Sequence, residues 1–283
     1  MTYTIHHGNC LDILPTLPAQ SVDAIIADPP YGTTACKWDS VIPLDAMWRE
    51  LKRVIKPRGA VVLFASQPFT SALVMSNAGW FKYEWIWHKS RPSDHISAKL
   101  KPMREHENVL VFSSGTTANK SPNLMVYYPQ GLVYKPQIER RPGRKVSRIN
   151  GDRPCLQTEY QRDYENYPRT ILQYANPNHG ALHPTQKPVD LMRYLVRTYT
   201  NPGETVLDFC FGSCTTGVAC LLENRNFIGI EKEKDYFDIG SNRMEKQRVE
   251  IQHTLFSCGT TDTSKSDCLG SSLPQALEMF GKA

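Results

Sequence analysis

Short apolar runs alternate with segments of helical periodicity along most of this chain, and no other feature constrains the fold as strongly. The runs predict strands buried on both faces. They lie at 22–27, 60–65, 81–88, 107–112, 204–208 and 226–231. Segments predicted to be helical lie at 44–56, 68–77, 189–199, 216–222 and 235–252. Because alternating strands and helices form a mostly parallel sheet with helices on both faces, we predict an α/β fold.

The composition is that of a globular protein with one large domain or two smaller ones. Charged residues make up 22% and hydrophobic residues 40% of the 283 positions, which argues against a disordered or fibrous chain. The longest wholly apolar run, 60–65, is much shorter than the about 20 residues that a membrane-spanning helix needs. The first residues have neither a basic start nor an apolar stretch, so we expect no secretory signal and no membrane segment.

The cysteines indicate reduced thiols in a cytosol. None of the eight is spaced as Cys-x-x-Cys, and disulfides are rare where no export signal is present. A zinc site would need paired Cys or His at short spacings. Cys210, Cys214 and Cys220 are loosely spaced, and the sequence has no second set of Cys or His ligands to complete a site with them. We therefore expect no metal.

Residues 113–180 lack both strand and helix periodicity and contain a basic cluster. Between 135 and 153 only Glu139 and Asp152 oppose seven basic residues, and the whole chain has a net charge of +5. Two interpretations fit this charge equally: a solvated irregular insertion, or a nucleic-acid surface whose cations neutralise phosphates. The tail 254–283 is rich in Ser, Thr and Gly, which predicts that most of it is disordered.

Two predicted strands end in unusual chemistry, and ligands bind at such strand ends in α/β sheets. Asp208 closes one strand before a turn of small residues, and Glu231 closes the next, where an acid can accept from ribose hydroxyls. The turn lacks Gly-x-Gly-x-x-Gly, so a cationic, nucleoside-bearing ligand suits it better than a phosphate. A plain structural turn is an equally good interpretation.

The other strand end is Asp28-Pro-Pro-Tyr31. The two prolines hold the backbone extended, the Pro29 carbonyl offers a fixed acceptor beside an acid, and Tyr31 adds a planar face. Together they would bind a flat group that bears an amino donor, such as the exocyclic amine of a nucleobase. A proline-rich turn with a capping Asp is the alternative.

Together these motifs resemble the amino-methylating DNA methyltransferases. The order of Asp28-Pro-Pro-Tyr-Gly32, an insertion, and then Asp208-Phe-Cys-Phe-Gly-Ser-Cys-Thr-Thr216 resembles the β-class permutation of that family. Further similar segments lie at 8–12, 85–89, 183–188 and 227–231. The resemblance covers about residues 4–113 and 181–250.

The resemblance implies a Rossmann-like methyltransferase fold, circularly permuted, with an irregular target-recognition insertion. The expected catalytic domain is 1–113 with 181–253, the insertion is 114–180, and the tail is 254–283. The implied reaction moves a methyl group from S-adenosylmethionine to N6 of a flipped-out adenine and leaves S-adenosylhomocysteine. No metal takes part. The implied location is the cytoplasm of a bacterium or of a phage-infected host.

The family motifs assign roles to individual positions. The expected catalytic residues are Asp28, Pro29, Pro30 and Tyr31: Tyr31 stacks on the base, Asp28 and the Pro29 carbonyl accept from its amine, and Pro30 fixes the turn. The expected cofactor-binding residues are Asn9, Asp28, His183, Pro184, Thr185, Lys187, Asp208, Phe209, Cys210, Phe211, Gly212, Ser213, Thr215 and Glu231. Among these, Asp208 would hold the cofactor ammonium and Glu231 the ribose, whereas Thr185 and Lys187 would hold its carboxylate.

The insertion lies where this family recognises its target, so the expected partner is double-stranded DNA. The expected DNA-binding residues are Lys89, Arg91, Lys135, Arg140, Arg141, Arg144, Lys145 and Arg148. The oligomeric state stays open, since some members dimerise. A partner restriction endonuclease, if one exists, would be a separate chain, since no cleavage domain is visible.

Two positions depart from the family pattern. Cys214 replaces the last glycine of the cofactor loop, where a positive φ would strain it, and Asn9 stands where many members have Asp. Three alternatives therefore stay open beside adenine methylation. They are cytosine-N4 methylation, methylation of RNA or of a protein glutamine, and an inactive DNA-binding relative whose cofactor site Cys214 blocks.

Overall fold

The structure, a computed structural model, describes residues 1–34, 36, 39–135, 140, 141, 160, 161, 163–177 and 186–258. Its strands are β1 Tyr3–His7, β2 Val22–Ala27, β3 Ile55–Ala65, β4 Phe81–Ser93, β5 Arg104–Phe112, β6 Val133–Tyr134, β7 Arg140–Arg141, β8 Tyr160–Gln161, β9 Tyr164–Glu165, β10 Ile171–Tyr174, β11 Thr205–Asp208 and β12 Asn226–Glu231. Its helices are α1 Cys10–Ile13, α2 Leu44–Val54, α3 Phe69–Ser76, α4 Val189–Tyr199, α5 Thr215–Leu222 and α6 Lys234–Cys258. Among these helices none is long and apolar enough to cross a membrane.

Eight of the described strands form one sheet in the order β1-β12-β11-β2-β3-β5-β4-β10. All neighbours pair in parallel except β5, which is antiparallel to both β3 and β4. The connection between β4 and β5 is a short hairpin, and a parallel crossover needs a longer one. The predicted mostly parallel α/β sheet is confirmed.

The two motifs lie side by side at the carboxyl ends of the parallel strands. β2 and β11 are neighbours, so Asp28 and Asp208 follow or end adjacent parallel strands. The side chains of β2 are almost all buried, as expected for a central strand covered on both faces. Val22 and Ile25 of β2 and Leu51 of α2 belong to the same hydrophobic core cluster.

The observed elements extend some predicted ones and add others. The runs at 22–27 and 226–231 are strands with the predicted bounds, whereas β3 starts at Ile55 and β4 continues to Ser93. α6 continues to Cys258, so the start of the predicted disordered tail is helical. The rest of that tail lies outside the described residues.

The predicted insertion 114–180 contributes to the main sheet. β10 pairs in parallel with β4 and forms an edge of the sheet. Its four residues are too few to show a period, which is why the sequence did not predict a strand. By its internal contacts the chain divides into the units Met1–Gln247 and Arg248–Ala283, the second described only to residue 258.

Candidate active site

A cavity of about 310 Å³ opens at the carboxyl ends of β1, β2, β11 and β12. Most of the sequence-predicted site residues line it: Asn9, Asp28, Pro29, Pro30, Tyr31, Lys187, Asp208, Phe209, Cys210, Phe211, Gly212, Ser213, Thr215 and Glu231. The structure thus brings two motifs that are far apart in sequence to one cavity. His183, Pro184 and Thr185 lie outside the described residues.

Asp208 provides a buried carboxylate on the floor of this cavity. The Thr216 hydroxyl donates to it at 2.6 Å, and the Cys210 amide donates to it at 3.2 Å. Burial raises the pKa of Asp208 to about 7 because these two donors replace only part of the lost hydration. Among the described residues no cation pairs with it, so a cationic ligand group would find a partner there.

Glu231 holds the loop that follows β11 and keeps capacity for a ligand. Its two carboxylate oxygens accept from the Gly212 and Glu233 amides, each at 2.8 Å. The Lys232 amide also hydrogen-bonds to Glu231, and a carboxylate can accept about four hydrogen bonds, so one site stays open toward a hydroxyl donor. Burial raises its pKa. Asn9, nearby in the same cavity, caps α1 by accepting from the Leu11 amide at 3.1 Å.

Cys214 adopts the left-handed conformation, with φ of 59° and ψ of 40°. A positive φ of this kind strains a residue that has a β-carbon. Its side chain is fully buried and does not line the cavity. It packs instead between two glycines: a β-carbon at Gly217 would lie 2.6 Å from its sulfur, and one at Gly240 would lie 3.1 Å from its own β-carbon.

In the Asp28-Pro-Pro-Tyr31 motif, the side chains of Asp28 and Tyr31 are hydrogen-bonded to each other and line the cavity. The Tyr31 hydroxyl donates to Asp28 Oδ1 at 2.5 Å. Burial and the Asp28 charge raise the pKa of Tyr31, so the phenol stays a donor. One face of the Tyr31 ring stacks on Phe69, with centroids 5.4 Å apart and planes at 24°.

A chain of alternating charges continues from Asp28 into the sheet. Lys187 binds Asp28 Oδ2 and lies 3.2 Å from Glu107 Oε2, and Lys89 lies 2.6 Å from Glu107 Oε1. Burial acts against the Lys187 charge, but the two carboxylates outweigh it and raise its pKa. Burial raises the pKa of Asp28, and Lys187 offsets this only in part.

Asp39 fixes the backbone that follows Tyr31. Its carboxylate accepts from the amides of Gly32, Thr33 and Thr34 at 2.6 to 2.9 Å. These hydrogen bonds outweigh burial and lower the pKa of Asp39. These hydrogen bonds hold the backbone of residues 32–34, which directly follows Tyr31, against Asp39.

The family model described as DNA methylase matches residues 22–242. The chain belongs to this DNA methylase family. The match includes both cavity motifs, from β2 to α6.

Named relatives and solved structures support this membership. "DNA adenine methyltransferase YhdJ" of Escherichia coli (strain K12) is 28% identical over 257 residues, 86% of this chain and 82% of that protein. "Type II methyltransferase M.HinfI" of Haemophilus influenzae is 26% identical over 269 residues, 86% of this chain and 68% of that protein. The crystal structure of an M1.HpyAVI-SAM complex covers 86% of this chain and 100% of that chain, with 25% identity and a TM-score of 0.56. The cytosine-N4-specific PvuII DNA methyltransferase shares the fold, with a TM-score of 0.60, 15% identity and coverage of 90% and 93%.

The predicted DNA-binding residues of this DNA methylase lie in different settings. Lys89 lies inside β4, buried and paired with Glu107, because the strand continues past the predicted end at residue 88. Arg91 is exposed and donates to the Pro177 carbonyl at 3.2 Å. Lys135 pairs with Glu165 at 2.8 Å. The backbone of Arg140 and Arg141 forms β7, whereas Arg144, Lys145 and Arg148 lie outside the described residues.

Sequence reasoning missed Glu107 and Asp39, both of which line the cavity. Glu107 opens the predicted run 107–112, but its place at this edge depends on β5 being antiparallel. Asp39 lies in a segment without periodicity. Among the described residues no group of His, Cys, Asp or Glu side chains has the arrangement of a metal site.

Proposed function

We propose that this DNA methylase transfers a methyl group from S-adenosylmethionine to the exocyclic N6 amine of adenine in double-stranded DNA. The observation that carries the proposal is that Asp28-Pro-Pro-Tyr31 and the acids Asp208 and Glu231 line one cavity. The names of the relatives support adenine as the target, since YhdJ is described as a DNA adenine methyltransferase. A DNA substrate also suits a cytoplasmic location in a bacterium.

The cavity residues fit this cofactor. Asp208 is a buried carboxylate without a cationic partner among the described residues, which suits the cofactor ammonium. Glu231 keeps acceptor capacity for the ribose hydroxyls. When bound, S-adenosylmethionine supplies an electrophilic methyl group on a positively charged sulfur.

The residues after β2 act on the base. The free face of Tyr31 stacks on the flipped adenine, while Phe69 supports the other face. Asp28 and the Pro29 carbonyl accept hydrogen bonds from the amine, which draws its lone pair out of the ring. The amine nitrogen would form a bond to the methyl carbon as the carbon–sulfur bond breaks and S-adenosylhomocysteine leaves, and the nitrogen would lose one proton to water. Positioning and electrostatics account for most of the rate.

Lys187 has a different role in this proposal from the one expected from the sequence. Its ammonium binds Asp28 and Glu107. We assign it to orienting the Asp28 carboxylate, with Glu107 and Lys89 as positioning residues behind it.

Cytosine-N4 methylation is the second candidate. The hydrogen-bond demand of that amine is the same, and the PvuII enzyme has the same fold. Homodimer formation and a separate partner nuclease are further proposals, the second suggested by the type II relatives.

The substitution Asp28→Ala tests the catalytic assignment. We expect transfer of labelled methyl to unmethylated plasmid DNA to fall by about a thousandfold or more, because the amine loses its charged acceptor. The protein should stay folded and bind cofactor, with a lower melting temperature because Lys187 loses one of its two buried carboxylate partners. Asp45→Ala, which removes an exposed acid from α2, is the matched control. Transfer by Asp28→Ala at the parent rate would refute the assignment.

A further inference from the structure

The hairpin formed by β4 and β5 extends past the edge of the sheet that carries the cavity. β3 ends at Ala65 opposite Asn108, but β4 and β5 stay paired as far as Ser93 and Arg104, with a register shift between His88 and Ser93. Four further residues of β5 therefore project beyond β3, a reach of about 14 Å. The stem of this arm includes Glu107, which lines the cavity.

The tip of the arm, residues 94–103, presents apolar side chains to solvent. Ile96 and Leu100 have relative exposures of 102% and 89%, and Met103 follows at 43%. The turn is ordered by hydrogen bonds from the Ser97 amide to the Asp94 carbonyl and from the Lys101 amide to the Ser97 carbonyl, each at 3.0 Å. Large apolar side chains held outward in this way indicate a binding surface.

The charge around the tip identifies the kind of partner. Residues 91–105 carry Arg91, Lys99, Lys101 and Arg104 against Asp94 and Glu105. Asp94 is paired with Lys101 at 3.0 Å, and Glu105 lies 3.6 Å from His88. The tip therefore combines a net positive charge with exposed apolar side chains. A DNA duplex is the complementary partner, because its phosphates are negatively charged and its stacked bases are apolar.

We propose that this arm enters the DNA duplex beside the target adenine. Ile96 and Leu100 fill the space that the flipped base leaves in the stack, and Lys99 and Arg104 contact the flanking phosphates. Removing a base from the stack is unfavourable, and an apolar side chain inserted in its place lowers that cost. The proposal rests on the proposed function, because it assumes that the cavity receives a base from a duplex.

The test uses a double substitution, Ile96→Ser with Leu100→Ser. Methylated positions on plasmid DNA labelled by the parent are first mapped, and two short duplexes are then made, with the target adenine either paired with thymine or mispaired. We expect methylation of the paired target to slow about tenfold or more, and methylation of the mispaired target to stay within about threefold of the parent, since a mispaired base is easier to flip.

Met75→Ser is the matched control, because it removes an apolar side chain that is 76% exposed on α3, away from the arm. This variant should keep the parent rate on both duplexes. The double variant should bind cofactor and melt like the parent, since its side chains contact solvent. Lys99→Gln should weaken duplex binding and reduce its salt dependence by about one counterion.

Several results would overturn the proposal. An unchanged rate on the paired target would do so, and so would an equal loss on the paired and mispaired targets. Loss of binding to phosphatidylserine vesicles, or conversion of a dimer to a monomer, with methylation intact would assign the tip to a lipid surface or to a second copy of the chain. A parent that labels no DNA would refute the proposed function itself, which separates the two failures.

Discussion

At the scale of single residues, we expect Asp208 to make cofactor binding depend on pH. Burial raises its pKa to about 7, and only the charged carboxylate attracts an ammonium group. The free protein therefore has to lose a proton to bind the cofactor below that pH. We expect the cofactor Kd, measured by calorimetry, to rise by about tenfold for each pH unit below 7.

Asp208→Asn should weaken binding and remove most of this pH dependence. Asp45→Asn on the exposed side of α2 should leave both unchanged. A parent Kd that stays flat below pH 7 would mean that Asp208 does not face the cofactor cation.

Glu107 influences the pKa of Asp28 by charge repulsion, beside the larger effects of burial and Lys187. The Glu107 charge raises the pKa of Asp28, so Glu107→Gln should lower that pKa. In the proposed mechanism the Asp28 carboxylate acts in its charged form, so we expect kcat to fall as pH drops through its pKa. The acid limb of the kcat profile should therefore move to lower pH in the variant, measured with saturating DNA.

Glu105→Gln removes the same charge from an exposed position two residues earlier on β5 and is the control. It should leave the acid limb in place. If Glu107 has a purely structural role, Glu107→Gln would lower stability without moving the acid limb of the kcat profile. That result would contradict the effect of Glu107 on the pKa of Asp28.

At the scale of elements, Cys214 shows how a loop departs from its family pattern. The sequence predicted strain at a positive φ, and the observed φ of 59° agrees. The alternative in which Cys214 blocks the cofactor site is not supported, because the side chain fills the space between Gly217 and Gly240 instead of the cavity. Arg243 also secures this loop by donating to the Ser213 carbonyl at 2.9 Å.

Cys214→Gly should leave the cofactor Kd within about twofold of the parent, a change of less than about 0.5 kcal/mol. It relieves strain but loses a buried side chain and adds freedom to the unfolded chain, so we expect a net loss of about 1 kcal/mol and a melting temperature lower by about 2–4 °C. Cys210→Ala, on the cavity side, should weaken binding. Tenfold tighter binding by Cys214→Gly would show that the cysteine does limit cofactor affinity.

Elements with strong periodicity were predictable from sequence, and short ones were not. β2 and β12 match their apolar runs, because central strands buried on both faces need continuous apolar residues. β1 mixes exposed and half-buried side chains at the sheet edge, and β10 has only four residues, so neither carries a clear pattern. The outer half of β4 is polar because it extends past the core.

The same limit applies to the site. Asp28, Asp208 and Glu231 end buried strands, so their shared edge follows from the parallel sheet alone. Glu107 reaches that edge only because β5 is antiparallel, and Lys187 is paired by tertiary contacts with two distant elements. Such contacts have no local signal in the sequence.

At the scale of the whole molecule, the order of the motifs explains the organisation of the chain. The motif after β2 precedes the insertion and the cofactor loop follows it, yet β2 and β11 are neighbours in the sheet. We propose that the target-recognition insertion ends before Ile171, because β10 belongs to the main sheet. In this proposal the basic residues between 135 and 148 stay predicted DNA-binding residues, and the β4–β5 arm is a second DNA contact.

The most direct test of this account is nucleoside mass spectrometry. The purified protein would be incubated with unmethylated DNA and S-adenosylmethionine that carries a deuterated methyl group, and the DNA would then be digested to nucleosides. The account predicts labelled N6-methyladenine from the parent and none from Asp28→Ala. Labelled N4-methylcytosine would contradict the choice of base, and unlabelled DNA from a protein that is folded and binds cofactor would contradict the proposed function.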